Sequence, residues 1–247
     1  MLADLCRRRP VSAKRACVAQ KRITASAPTW AAAEPRPPVS LRFGHLVLGG
    51  DAGPWRRCGL DGLISTHADS EWLHTANGSL TWASDREGLG WVFHDDDADA
   101  AHDIAIDSVP TRVEASLPVR EVVTLPDLPR IDHVVVFTDS LERTTTAVAE
   151  ATGHGVRRVR ETADARQGFH RVGPGGVIIE VVERADVTSV ALWGLVLTVP
   201  DLDSLVAAAD GAIGVPRDAV QPGRRIATVR GAAGLGVAVA FMSPEPA

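Results

Sequence analysis

The sequence predicts an α+β protein assembled from βαβββ modules, and three observations predict it. A strand-length apolar run at residues 131–137 recurs at 192–199. Each run leads into a segment of helical spacing that opens on a capping residue and stops at a glycine, Gly153 in the first case and Gly211 in the second. Three further strand-length runs follow each helix, so the same order of elements is written twice.

In chain order, residues 1–40 come first and carry eight basic and two acidic side chains, with a proline-rich close and no apolar core of a secretory signal. They read as a disordered basic extension. Residues 41–48 read as a strand, 49–54 as a turn, and the next stretch as a short helix through Trp55 and Leu60. Brief strands are expected at 62–65, 79–83 and 90–93, and one or two across 104–113. Asp95, Asp96 and Asp97 lack the spacing of a calcium loop and read as a solvated turn. Residues 41–117 are thus a first, degenerate domain. A linker follows at 118–129, where Pro118, Pro126 and Pro129 flank a short strand at 122–125.

The second domain runs over 130–247. Behind the 131–137 strand, Asp139 reads as an N-cap with Glu142 completing a capping box, and Leu141 and Val148 keep helical spacing. Strands are expected at 156–162, 167–172 and, past a glycine-rich turn, 177–182. The repeat supplies a helix at 201–209 and strands at 213–217, 225–230 and 236–242. Phe43-Gly44-His45 is set like Ile131-Asp132-His133, and Gly90-Trp91-Val92 like Trp193-Gly194-Leu195, so the first domain looks like an eroded copy of the second.

Composition narrows the function. The longest stretch with few charges, residues 190–200, is far below the roughly 20 apolar residues of a membrane span. Beyond residue 40 the chain carries 18 basic and 29 acidic side chains, no footprint for nucleic acid. Cys6, Cys17 and Cys58 form neither a disulfide framework nor a thiolate zinc pattern, which suits a reducing cytoplasm. No Gly-x-Ser-x-Gly elbow is present, and the glycine-rich run at 231–236 leads into a strand rather than a helix, which disqualifies it as a phosphate loop.

Two polar residues stand out inside apolar strands. His133 lies in the 131–137 run and Glu180 in the 177–182 run, and a charge taken out of water costs several kcal/mol unless it is paired. They are either one functional site or a buried structural pair. His45 sits in a similar strand without a visible partner and reads as a core histidine.

The 131–135 segment, the capped helix, the strand around Glu180 and the second module from Trp193 to Met242 resemble the vicinal oxygen chelate superfamily, the glyoxalase, bleomycin-resistance and extradiol-dioxygenase group. The resemblance covers about 130–243 and is weaker over 41–117. It implies paired βαβββ modules forming curled mixed sheets around a cavity, with a divalent metal ion held on the first and last strand of each module. His133 and Glu180 fall at the two first-module places, as metal ligands or as a catalytic pair. Gly194 and Ala240 fall at the second-module places, so the shell is incomplete, and His170 on the neighbouring strand is a third ligand or faces the other way. The activity implied is that of a lyase, isomerase or dioxygenase acting on a small oxygenated metabolite. The alternative is a non-catalytic protein that sequesters a small molecule or drug. The partners expected are a small-molecule ligand and, in a homodimer, a second copy of the chain.

Around that site, Gln221 precedes a Pro-Gly turn, and Arg224 and Arg225 launch the next strand toward opposite faces, so at most one of them looks inward to clamp an anion. Trp193 is either a pocket wall or a core tryptophan. Arg158 and Arg160 share a strand face that reads as solvated. Deletion of residues 1–38 should leave the melting temperature within about two degrees in calorimetry; a larger drop would show that the extension packs on the body.

Overall fold

The computed structural model describes residues 40–115, 128–162, 165–173 and 176–246, all within one compact unit. Apart from Ser40, Leu128 and Pro129, the expected extension and linker, with the 122–125 strand, lie outside the described residues.

Two open mixed sheets carry the fold. In the first, β1 (Arg42–Gly49) pairs in parallel with β4 (Gly78–Ala83), beyond which lie β3 (Ser70–Thr75) and β2 (Ile64–His67) as antiparallel neighbours. A short helix α1 (Gly53–Trp55) continues through irregular helical turns to Leu63 and connects β1 to β2. On the other side of β1 runs β5 (Leu89–Asp95), antiparallel to it and parallel to β7 (Val109–Ala115), with β6 (His102–Ile106) at the edge. This is one module followed by a second that, among the described residues, shows three strands and no helix.

The eight-stranded sheet holds two complete modules. The first comprises β8 (Arg130–Thr138), α2 (Leu141–Thr152), β9 (Arg158–Glu161), β10 (Arg166–Val172) and β11 (Val177–Glu183). The second comprises β12 (Ala191–Thr198), α3 (Leu202–Ala208), β13 (Arg217–Asp218), β14 (Arg225–Thr228) and β15 (Ala238–Met242). Each opening strand pairs in parallel with the last strand of its own module, and β8 joins β12 antiparallel, giving the order β13-β14-β15-β12-β8-β11-β10-β9. The pairing of β1 with β5 repeats that of β8 with β12.

Local chemistry accounts for the helices. Ser140, not Asp139, caps α2: its hydroxyl accepts from the Arg143 amide, while Asp139 pairs with the Arg143 guanidinium. Gly153 ends the helix in the left-handed region. Thr145 and Thr152 are buried on α2, and each returns its hydroxyl to the carbonyl four residues back, at 2.7 Å. Asp201 caps α3 by accepting from the Ser204 amide at 3.0 Å. β3 escaped the sequence because its run is largely polar and the turn before it uses positive-φ Ala68 and Asp69 rather than glycine. The run at 213–217 keeps only an Ile213–Val229 bridge and the two-residue β13.

One apolar core joins the helix-bearing faces of both sheets, including Leu46, Leu48, Phe93, Val134, Val136, Ile179, Val181, Leu197 and Phe241 with Leu141 and Val148 of α2. Alternation along each strand sends the intervening residues to the opposite, outer faces. There Val92, Val135 and Val182 are buried outside that core, and Val196, Ala240 and Met242 form a separate cluster. The two sheets are also pinned through Asn77 in the β3–β4 turn. Its amide nitrogen donates to the Ile131 carbonyl and its oxygen accepts from the Ile131 amide, both at 2.9 Å, as another strand would. Asn77→Ala leaves both groups unpaired and should lower the unfolding free energy by about 1–3 kcal/mol in urea titration; an unchanged midpoint would show that water replaces the amide without cost.

Candidate functional site

The outer face of the eight-stranded sheet takes its polar residues from β8, β10 and β11. On β11, Ile179 and Val181 enter the core, so Ile178, Glu180 and Val182 face outward, and β10 contributes Gln167, Phe169 and Arg171 by the same parity. His133 of β8 lies beside Ile178. Its Nε2 is 3.3 Å from Glu180 Oε2, so the two residues singled out in the sequence do meet.

Asp132 would ordinarily point the other way. Against β12, however, His133 pairs with Val196 and Ile131 with Leu197, which leaves Asp132 as an extra residue in a β-bulge. The bulge turns its carboxylate onto the His133 side, where Oδ1 lies 3.0 Å from Nδ1. The opposite oxygen, Oδ2, accepts from Arg224 Nη1 at 2.9 Å and from the Thr198 hydroxyl at 3.0 Å. Arg224 also donates Nε to the Ser243 carbonyl and Nη2 to Thr198. At the far end, the Gln167 amide nitrogen donates to Glu180 Oε1 at 2.8 Å, and its own carbonyl oxygen is buried without a hydrogen-bond partner. Gln167, Glu180, His133, Asp132 and Arg224 thus form one continuous chain.

Electrostatics separate the two carboxylates. Burial works to raise the Asp132 pKa but is outweighed by the hydrogen bond and charge of His133 and by Arg224, which hold it well below the usual carboxylate range. For Glu180, burial raises the pKa and prevails over the attraction of His133 and Arg160, with Asp132 adding to the rise. A cavity of about 340 Å³ opens beside this chain, lined by Asp132, Thr198 and Ile178 and by the arginines Arg130, Arg171 and Arg224. His133 and Glu180 are not among its lining residues but keep part of their side chains exposed, 14% and 13%.

The other sequence-predicted residues divide. Arg224 faces inward and Arg225 outward, paired with Asp203 on the surface. Gln221 is exposed in the turn and meets Arg224 through its backbone carbonyl. His170 points into the core, where Nδ1 lies 2.8 Å from the His154 carbonyl and burial lowers its pKa, so it is not part of the site. Trp193 is neither core nor cavity wall. It is the extra residue of a second bulge, 50% exposed, stacked on Phe137 at 4.7 Å. His45 lies on the outer face of the seven-stranded sheet, its ring edge-on to Trp72, rather than in the core. Asp132 was not signalled because the bulge breaks the alternation on which a strand is read, and Thr198 and Gln167 are polar residues at strand ends that carry no signal of their own.

No protein-family model and no curated protein matches the sequence. Among solved structures, a substituted form of 4-hydroxymandelate synthase from Streptomyces coelicolor is similar, with 16% identity, a TM-score of 0.57, and coverage of 85% of this chain and 94% of that one. The chain has the vicinal oxygen chelate fold. Methylmalonyl-CoA epimerases from Streptomyces coelicolor and Mycobacterium tuberculosis match 47% of the chain, and 98% and 88% of their own, at 18% and 16% identity. Their TM-scores of 0.39 and 0.41 add nothing to that assignment.

Vicinal oxygen chelate proteins are associated with a divalent metal, and the donors here were tested for one. Among the described residues, no three His, Cys, Asp or Glu side chains come together as a metal-holding group. Gly194 and Ala240 hold the second-module places, and a Cβ on Gly194 would meet the Ala238 carbonyl at 2.4 Å, so that place has no room for a ligand side chain. Asp132 is committed to His133, Thr198 and Arg224. His133 and Glu180 alone do not fit a metal shell. Arg224→Met strands a buried carboxylate and should lower stability by about 3–5 kcal/mol, whereas Arg225→Met should change it by no more than about 0.5 kcal/mol. Equal effects in chemical denaturation would contradict the inward placement of Arg224.

Proposed function

We propose that the eight-stranded sheet carries the active site of an enzyme that moves a proton on a small, oxygenated, anionic metabolite, as an isomerase or lyase does. The observation that supports this reading is the hydrogen-bonded chain from Gln167 to Arg224, in which one carboxyl is pushed up and the other pulled down in pKa. Two titratable groups held apart in this way suit a division of roles. Asp132 stays ionised and fixes His133 by accepting from Nδ1. Nε2 then turns its lone pair toward Glu180, ready to receive a proton that Glu180 has taken.

In this mechanism Glu180 takes a proton from carbon next to the substrate carbonyl, and His133 accepts or returns the same proton through Nε2. Gln167 steadies the Glu180 carboxylate, and its unpartnered carbonyl oxygen is free to receive a substrate hydroxyl. Arg171 brings positive charge to the cavity for the substrate's own carboxylate or phosphate. A second reading, a binding protein without chemistry, draws support from the cavity lining, to which neither His133 nor Glu180 contributes.

Glu180→Gln distinguishes the two. The raised pKa means that Glu180 contributes stability below its unfolded value of 4.5, and that this contribution is lost as pH rises through the folded value. The variant cannot ionise, so its melting temperature relative to the parent should climb from pH 5 to pH 8. Turnover in an isomerase or lyase substrate screen, or proton exchange into deuterated substrate, should fall at least about a hundredfold. A variant that binds ligand and exchanges protons as the parent does would remove Glu180 from catalysis.

A further inference from the structure

The outer face of the seven-stranded sheet carries a separate set of polar side chains. Leu46, Leu48, Phe93 and Val113 enter the core, so Val47, Gly90, Val92, His94, Arg112 and Glu114 lie outward. A cavity of about 360 Å³ lies on this face, within the size of small-molecule sites. Val47, Val92 and Pro110 give it apolar walls, Arg86 and Arg112 bring guanidinium groups, and Asp103 and Glu114 bring carboxylates.

Arg86 is held unusually. It reaches back from the β4–β5 turn and lays its guanidinium over Gly90, where a Cβ would stand 2.4 Å from Nη1 and 2.5 Å from Cζ and Nη2. Gly90 has no positive φ, and its lack of a side chain lets the guanidinium lie over the strand. Among the described residues the Arg86 side chain has no hydrogen-bond or ion-pair partner, whereas Arg112 is matched by Asp103 at 3.2 Å. Gly44 makes room in the same way for the His94 ring, with a Cβ 2.5 Å from Nε2, and His94 Nδ1 is buried without a partner. Glu114 stands in register beside His94, away from Gly90. One end of the cavity is therefore formed by the exposed Arg86 guanidinium, which no carboxylate among the described residues pairs with.

We infer that this face is a second small-molecule site, which takes an oxyanion, a carboxylate or phosphate, between Arg86 and Arg112, with the apolar body of the ligand on Val47, Val92 and Pro110. Glu114 at the opposite end disfavours a second negative group. The site is independent of the proposed chemistry on the other sheet.

Amide chemical-shift mapping on the full chain at low salt, titrated separately with benzoate and inorganic phosphate, tests the inference. Benzoate should shift amides of β5 and β7, and Arg86→Met should weaken that titration about tenfold or more. Response to benzoate alone would assign an organic carboxylate, and response to both a general oxyanion. If benzoate and phosphate leave β5 and β7 unmoved, or if Arg86→Met titrates like the parent, the inference fails.

Discussion

A buried ion pair between Arg224 and Asp132 ties the two halves of the eight-stranded sheet together. Asp132 lies on β8 of the first module, whereas Thr198, Arg224 and Ser243, which complete the network, all belong to the second. Both charged side chains are largely out of water, so each depends on the other, since an uncompensated buried charge is among the costliest defects a fold can carry. The bulge at Asp132 is the backbone's contribution to that pairing. In a regular β8 the Asp132 carboxylate would face the core, and His133 would lose the group that fixes its ring.

Much of the fold was legible because the βαβββ order repeats with its punctuation intact. Gly153 and Asp201 ended and began helices as read, and the parity of the 131–137 and 177–182 strands brought His133 and Glu180 together. The shift of the cap from Asp139 to Ser140 shows the usual one-residue ambiguity when two capping side chains are adjacent. The site was legible only where alternation holds. Asp132 and Trp193 are the extra residues of two bulges, and both have side-chain placements that simple alternation misassigns. His170 shows the converse, since the parity of β10 that brings Gln167 outward sends His170 inward, and only the register with β11 decides which residue serves.

The two modules of this sheet have diverged in what their outer faces do. In the first, His133, Glu180 and Gln167 make a polar chain. In the second, the matching places are Gly194 and Ala240, with Val196 and Met242 filling the surface between them. Gly194 is fixed by the close approach of the Ala238 carbonyl, so the second module cannot regain a ligand there by a single substitution. It contributes to the site through Arg224 instead.

Placing every helix on the shared core has a wider effect on what the chain can carry. Residues on the outer faces are relieved of packing against helices, so polar side chains there need partners only among themselves or in a ligand. Glycines exploit this on the seven-stranded sheet, where Gly44 and Gly90 give up their own side-chain volume to the His94 ring and the Arg86 guanidinium. A bulge does equivalent work on the eight-stranded sheet by bringing Asp132 beside His133. Both devices set a polar group where a regular strand would not, and neither disturbs the alternating core residues beneath it.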